Sequence, residues 1–245
     1  KQKYKLTVSG GSNKSTYLVS ASYFDQKGIV RNSGLKKYSF RINADQKIGK
    51  RIKTGQNIIV SYSERQRINE TGTRTTASPI AAALKADPTA TPYYTDHEME
   101  ALGIDRELNW GQWRDLSSTS MSGNPAANLD RKTYDYSSLD LFGTAFMEVE
   151  LLPSLVYKST FGISANLGHM EEFEPKYQIN SLEKDDQTIF RMRNEQWINW
   201  NIENTLTFSK IFGNHFVTAV AGVTAQKESF VDTRHTVNGF PYLSE

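Results

Sequence analysis

The stretch Gln196-Trp197-Ile198-Asn199-Trp200-Asn201-Ile202-Glu203-Asn204-Thr205-Leu206-Thr207-Phe208 alternates almost without error. On an extended chain Ile198, Trp200, Ile202, Leu206 and Phe208 share one face. Asn199, Asn201, Glu203, Thr205 and Thr207 share the other. Successive strand side chains point to opposite sides, so this reads as a β-strand with one face in an apolar medium.

Seven further segments repeat the pattern. Tyr4 to Ser9 places Tyr4, Leu6 and Val8 together, and Ser15 to Asp25 does the same with Tyr17, Val19, Ala21 and Tyr23. Lys37 to Lys47 carries Tyr38, Phe40, Ile42 and Ala44, and Ile52 to Gln66 carries Ile58, Val60 and Tyr62. Ser138 to Leu152 sets Leu139, Leu141, Ala145, Met147 and Val149 against Asp140, Thr144, Glu148 and Glu150. Leu155 to Asn166 and His215 to Lys227 complete the set.

The links between these segments alternate short and long. Short ones fall near 11–14, 47–51, 152–154 and 210–214, with Gly and Asn suited to tight hairpins. Long ones run over about 26–36, 67–137, 167–195 and 228–245. Outer-membrane barrels have short turns at one end and long loops at the other, and their tilted strands need about 9–11 residues to cross the hydrocarbon layer. The fold class this implies is all-β, an up-and-down antiparallel transmembrane β-barrel. Tyr17 and Tyr23 bracket one segment and Trp200 and Phe208 another, as interfacial aromatic girdles do, although Tyr and Trp are also good strand formers.

Composition narrows the function classes. The mean hydropathy of −0.56 excludes nothing for a barrel, in which only every second residue meets lipid. A net charge of +2 without a basic stripe gives no case for nucleic acid. The absence of cysteine rules out disulfides, thiolate metal sites and a cysteine nucleophile within the chain. His97, His169, His215 and His235 lie far apart without metal-ligand spacing, so no metal site, cofactor or enzymatic activity is expected. Glu171-Glu172 and Asp185-Asp186 read as solvated loop charges, and Glu148 with Glu150 as part of a polar lumen wall.

The residues from Tyr4 through Tyr17, then Ser22 to Val30 and Lys37 to Asn43, resemble an early barrel hairpin of SusC/RagA-type TonB-dependent outer-membrane transporters. Trp200 to Phe208, Phe212 to His215, Ala221-Gly222 and Asn238 to Pro241 are similar to a later one. The resemblance implies a barrel of about 22 strands, of which this chain, 1–245, is about eight, roughly the second to the ninth. It also implies an N-terminal plug and TonB contact outside this chain, a SusD-like surface lipoprotein as cap, and import of a glycan or peptide at the outer membrane. Both ends read as cuts through a longer protein.

One link invites a sharper reading. Tyr93, Tyr94, Trp110 and Trp113 lie among Asp96, Glu98, Asp105, Arg106 and Arg114, a mixture that can contact a ligand or the capping lipoprotein, or form the loop's own small core. The alternative to import is a soluble all-β carbohydrate-binding module. In a sandwich Trp200, Ile202 and Leu206 would be buried between sheets; in a barrel they would face lipid.

Overall fold

The computed structural model describes residues 1–68, 78–116, 123–181 and 183–239. Eight long strands form one antiparallel sheet: β1 (Gln2–Gly11), β2 (Ser15–Lys27), β3 (Gly34–Ile48), β4 (Ile52–Gln66), β5 (Thr133–Leu152), β6 (Leu155–Glu174), β9 (Ile189–Phe212) and β10 (His215–Asn238). Their spatial order is their chain order. β7 (Tyr177–Gln178) and β8 (Lys184–Asp185) make a small separate hairpin. Three short helices, α1 (Pro79–Lys85), α2 (Asp96–Leu102) and α3 (Pro125–Asp130), lie between β4 and β5.

Register carries the alternation of each strand across the whole sheet. Directly opposed residues share a face, so Val8, Val19, Ile42, Ile58, Gly143, Ile163 and Trp200 form one apolar row. Leu6, Ala21, Phe40, Val60, Leu141, Ala165 and Ile198 form the next. The opposite face carries rows such as Ser9, Leu18, Asn43, Asn57, Thr144, Gly162 and Asn201, which are mostly polar. A slip of one residue anywhere would mix the two faces.

No second sheet or helix covers the apolar face among the described residues. Phe40 is 45% exposed, Phe161 41% and Leu206 38%, inside the sheet and not only at its edges. Of the three side chains that a sandwich would bury, Leu206 is exposed and Trp200 and Ile202 are half-buried. Among the described residues β1 pairs only with β2 and β10 only with β9, so the sheet is open.

The short turns descend as a staircase. Ser15, just past the first turn, pairs with Gln46, two residues before β3 ends at Ile48. Ile52 pairs with Val149, three residues before β5 ends at Leu152. Leu155 pairs with Phe208, four before β9 ends at Phe212. Turns at a common level then require tilted strands, as in barrels, where the tilt is about 35–45°. Gly49 and Gly213 take φ of 66° and 59° in two of these turns, a region favouring glycine.

The long-link ends differ from expectation. β6 continues to Glu174 and β9 begins at Ile189, so the link expected over 167–195 shrinks to 175–188. The segment expected as a loop from Glu228 stays in β10 to Asn238, and 26–36 shrinks to 28–33. β5 likewise starts at Thr133, which ends the 67–137 link five residues early. Hydrogen bonding carries the strands on beyond the apolar rows, where the faces become charged. Of the expected loops, 69–77, 117–122, 182 and 240–245 lie outside the described residues, as do Phe240 and Pro241 of the later resemblance.

Candidate functional site

The links at the long end pack into one unit with its own core. Trp113, Ala127, Tyr177 and Ile179 are buried together, with Ala126 against them. Each helix is set by a local signal. Ser78 caps α1 ahead of Pro79, and Asn124 caps α3 ahead of Pro125. Thr95 and Glu98 form a reciprocal capping box on α2, which ends at Gly103 in the left-handed region.

Hydrogen bonds tie this unit across the three links. Arg31 pairs with Asp130 at 2.8 Å, and the Asn32 side-chain amide donates to the Leu129 carbonyl at 2.8 Å. From the third link, Asn180 donates to Asp115 at 2.8 Å, while the Glu183 carboxylate accepts from the Asn124 backbone N–H at 3.4 Å. A buried charge group closes the joint with the sheet. Glu174 at the end of β6 meets Lys132 at 2.7 Å and Arg131 at 3.3 Å, and the Arg131 guanidinium lies 3.7 Å from the Tyr177 ring centroid. Burial pushes the Glu183 carboxyl up, with Arg131 opposing. Glu98 is held down at about 2, first by its bond from Arg114 and then by those from Thr95.

The four aromatic candidates separate by position. Trp113 is 0% exposed and belongs to the core of the unit, so within this chain it has no surface to offer a ligand. Trp110 is 50% exposed and packs edge-on against it, with ring centroids 4.9 Å apart. Tyr93 is exposed beside Arg31 and Asp130, and bridges to Trp113 through the backbone. Tyr94 is half-buried under Arg114, 4.5 Å from the ring centroid. Sequence reading did not single out Arg131, Glu174 or Glu183. The capping signatures at Ser78-Pro79, Thr95-x-x-Glu98 and Asn124-Pro125 were the legible sign of order in this link.

The acidic pairs also resolve. Glu171 and Glu172 lie in β6 and not in a loop: Glu172 pairs with Arg191 opposite at 2.5 Å, and Glu171, half exposed, meets the His169 ring at 3.0 Å. Asp185 lies in β8. Glu148 falls on the polar face with Lys53 and Lys158 as its cross-strand neighbours.

An open, tilted, up-and-down sheet with one unpartnered apolar face and all its long links at one end is a section of barrel wall. No family model matches the chain. It is 29% identical over 229 residues to TonB-dependent receptor P3 and 28% identical over 225 residues to TonB-dependent receptor P26, both of Formosa agariphila. Each alignment covers 91% of this chain. This chain resembles TonB-dependent receptors. It spans about a fifth of the length of those relatives, 21% of each. Among solved structures, the RagAB peptide transporter matches with a TM-score of 0.73 and 20% identity over 97% of this chain and 25% of that one. The closed-closed state of the RagAB peptide importer matches with a TM-score of 0.74 and 18% identity over the same shares. The likeness of fold thus covers nearly all of this chain. Among the described residues no helix is long and apolar enough to cross a membrane, which says nothing of a barrel.

Proposed function

We propose that this chain is a section of the barrel wall of a TonB-dependent importer in the outer membrane of a Gram-negative bacterium. The observation that carries the reading is the uncovered apolar face that runs in register across eight strands opposite a polar one. Lipid supplies the apolar medium, and the polar face lines the lumen. The full transporter takes up a large nutrient, a peptide or a glycan, with a SusD-like lipoprotein over the long-link end and TonB acting through a region outside this chain. The named likeness to a RagAB peptide importer favours a peptide.

On this reading the long-link unit borders the entry chamber. Trp110 and Tyr93, with Tyr94 beneath, are the groups that contact ligand or cap, and Trp113 holds them in place. Large aromatics often anchor interfaces, and losing one can cost about 2 kcal/mol or more. The test is uptake of defined peptides and oligosaccharides by cells carrying wild-type protein or Trp110→Ala with Tyr93→Ala. Uptake and lipoprotein retention should fall while barrel assembly persists. Unchanged uptake and retention in assembled protein would reduce these aromatics to surface packing, and failure of the wild type to enter membranes would remove the whole reading.

A further inference from the structure

The polar face is not uniform in charge. On the half nearer the long links, the cations of β9 and β10 stand in ion pairs. Arg191 meets Glu172, Arg193 meets Glu195 and Asp232, and Arg234 shares Asp232. On β1 to β4 the same half of that face carries Lys3, Lys5, Lys37, Arg41 and Arg65, all exposed. The two groups are level: Lys3 and Lys37 lie in one row with Glu195, and Arg65 in one row with Arg193. The only carboxylates of β1 to β4 stand apart from them. Asp25 and Glu64 belong to the opposite face, and Asp45 lies near the short turns. Among the described residues none of the five cations is in an ion pair, and Arg41 donates instead to the neutral Asn43 side chain at 3.2 Å.

Between these long side chains the wall is floored by serine. Ser20, Ser22, Ser39, Ser61 and Ser63 share the face, and Ser20, Ser61 and Ser63 are buried. Short side chains between long ones leave a trough that runs toward the long-link end. There Arg65 and Arg67 lie over the Tyr136 ring, 5.8 and 5.6 Å from its centroid. Lys1 lies over Phe24 in the same way at 5.6 Å. Lys3 and Lys37, two strands apart, are roughly 10 Å from each other, about one screening length in dilute salt. Like charges held that close repel, and a bound anion relieves the repulsion.

We propose that this trough is a docking track for acidic peptides on their way through the lumen. Ammonium and guanidinium groups bind carboxylates through charge-assisted hydrogen bonds, and serine hydroxyls can pair with the peptide backbone. Lys3 and Lys5, two residues apart on one strand, repeat at about 7 Å, the spacing of alternate side chains on an extended peptide. Lys37 and Arg41 repeat at about twice that. A sugar chain would want an open ring to stack on, and Phe24 and Tyr136, the rings beside these cations, already carry Lys1, Arg65 and Arg67. The inference rests on the reading of the polar face as the lumen and names the class of nutrient; its test separates the two.

Cells carrying the intact transporter are offered labelled peptides of one length with Glu or Gln at alternate positions, and uptake is measured in dilute and in concentrated salt. Wild type should take up the Glu peptide about tenfold faster than the Gln peptide in dilute salt, and salt should shrink the difference. Lys37→Glu should cut that preference severalfold, and adding Arg65→Glu should abolish it. Lys36→Glu, the same reversal one residue away on the other face of β3, should keep it. Heat-modifiable gel mobility reports assembly in each case. Where the reversals fail to assemble, Lys37→Gln with Arg65→Gln should still lose most of the preference. Equal uptake of both peptides by wild type, an undiminished preference in the assembled double variant, or an equal loss with Lys36→Glu overturns the track and leaves the importer reading standing. So does uptake of an oligogalacturonate in place of both peptides, which would make the ligand an anionic glycan. A wild-type protein absent from the outer membrane overturns both.

Discussion

The wall and the long-link unit use the same residue types in opposite ways. In the wall, Phe40, Phe161 and Leu206 stay exposed, and the polar groups line up on the other face. In the unit, Trp113, Tyr177 and Ile179 close around one another, and the charges stay mostly outside. The wall is held by its hydrogen-bonded ladder, which leaves no backbone group for lipid to satisfy except at an edge. The unit is held by caps, a small core and a few buried ion pairs, as a water-soluble domain is. The difference teaches that burial measures which solvent an element was built for, and that one chain can be built for two.

The sharpest way to break this comparison is to remove the core of the unit alone. Trp113→Ala should cost on the order of 3–5 kcal/mol, the range for losing a fully buried large aromatic. Limited proteolysis should then cut within 78–132, while heat-modifiable mobility of the barrel stays unchanged. Loss of assembly would mean that wall and unit fold as one.

A slightly smaller effect is expected from a charge placed on the wrong face of the wall. Val19→Arg enters the apolar row and should cost about 2–4 kcal/mol near the midplane. Thr205→Arg, beside Lys158 on the polar face, should be tolerated far better. Urea unfolding of the assembled protein in lipid measures both. Equal losses would contradict the assignment of faces.

The smallest effect concerns acid. Glu98 is held at about 2, below its ordinary 4.5, by Arg114 and Thr95. A carboxyl whose folded pKa is depressed contributes stability above its unfolded pKa and loses it as pH falls through the folded one. Protection of the α2 amides, taken relative to their intrinsic exchange at each pH, should therefore fall between about pH 4.5 and 2, and Glu98→Gln should remove that fall. The apolar face carries no such group, so the amides of β3 between Tyr38 and Ala44 should not follow the same curve.

The parts of the fold that were legible are those where the solvent differs on the two faces. β4 was bounded correctly at both ends, and every short turn was found, because alternation stops where the chain must reverse. Beyond the row of Tyr4, Tyr23, Tyr38 and Tyr62 the apolar side carries charges too, as Asp25, Lys36 and Glu64 show, and alternation no longer marks the strand. There Arg191 opposite Glu172 and Arg193 against Asp232 extend β6, β9 and β10 by charge pairing. Such pairs look like loop charges in a sequence. In the long link, Tyr93, Tyr94, Trp110 and Trp113 were visible as a group, but which of them is core depends on Ala127, Tyr177 and Ile179 arriving from elsewhere in the chain.

Trp197 and Trp200 put the central claim to its most direct test. They lie three residues apart on β9 and on opposite faces: Trp200 in the apolar row with Ile163, and Trp197 on the polar face donating to Glu228 at 2.7 Å. The measurement is tryptophan fluorescence of the intact protein in bilayers with brominated acyl chains, compared among wild type, Trp200→Phe and Trp197→Phe. Trp200→Phe should remove a bromine-quenched component that Trp197→Phe leaves intact. Loss of that component with Trp197→Phe instead, or with neither, would contradict the account of this sheet as a lipid-facing wall.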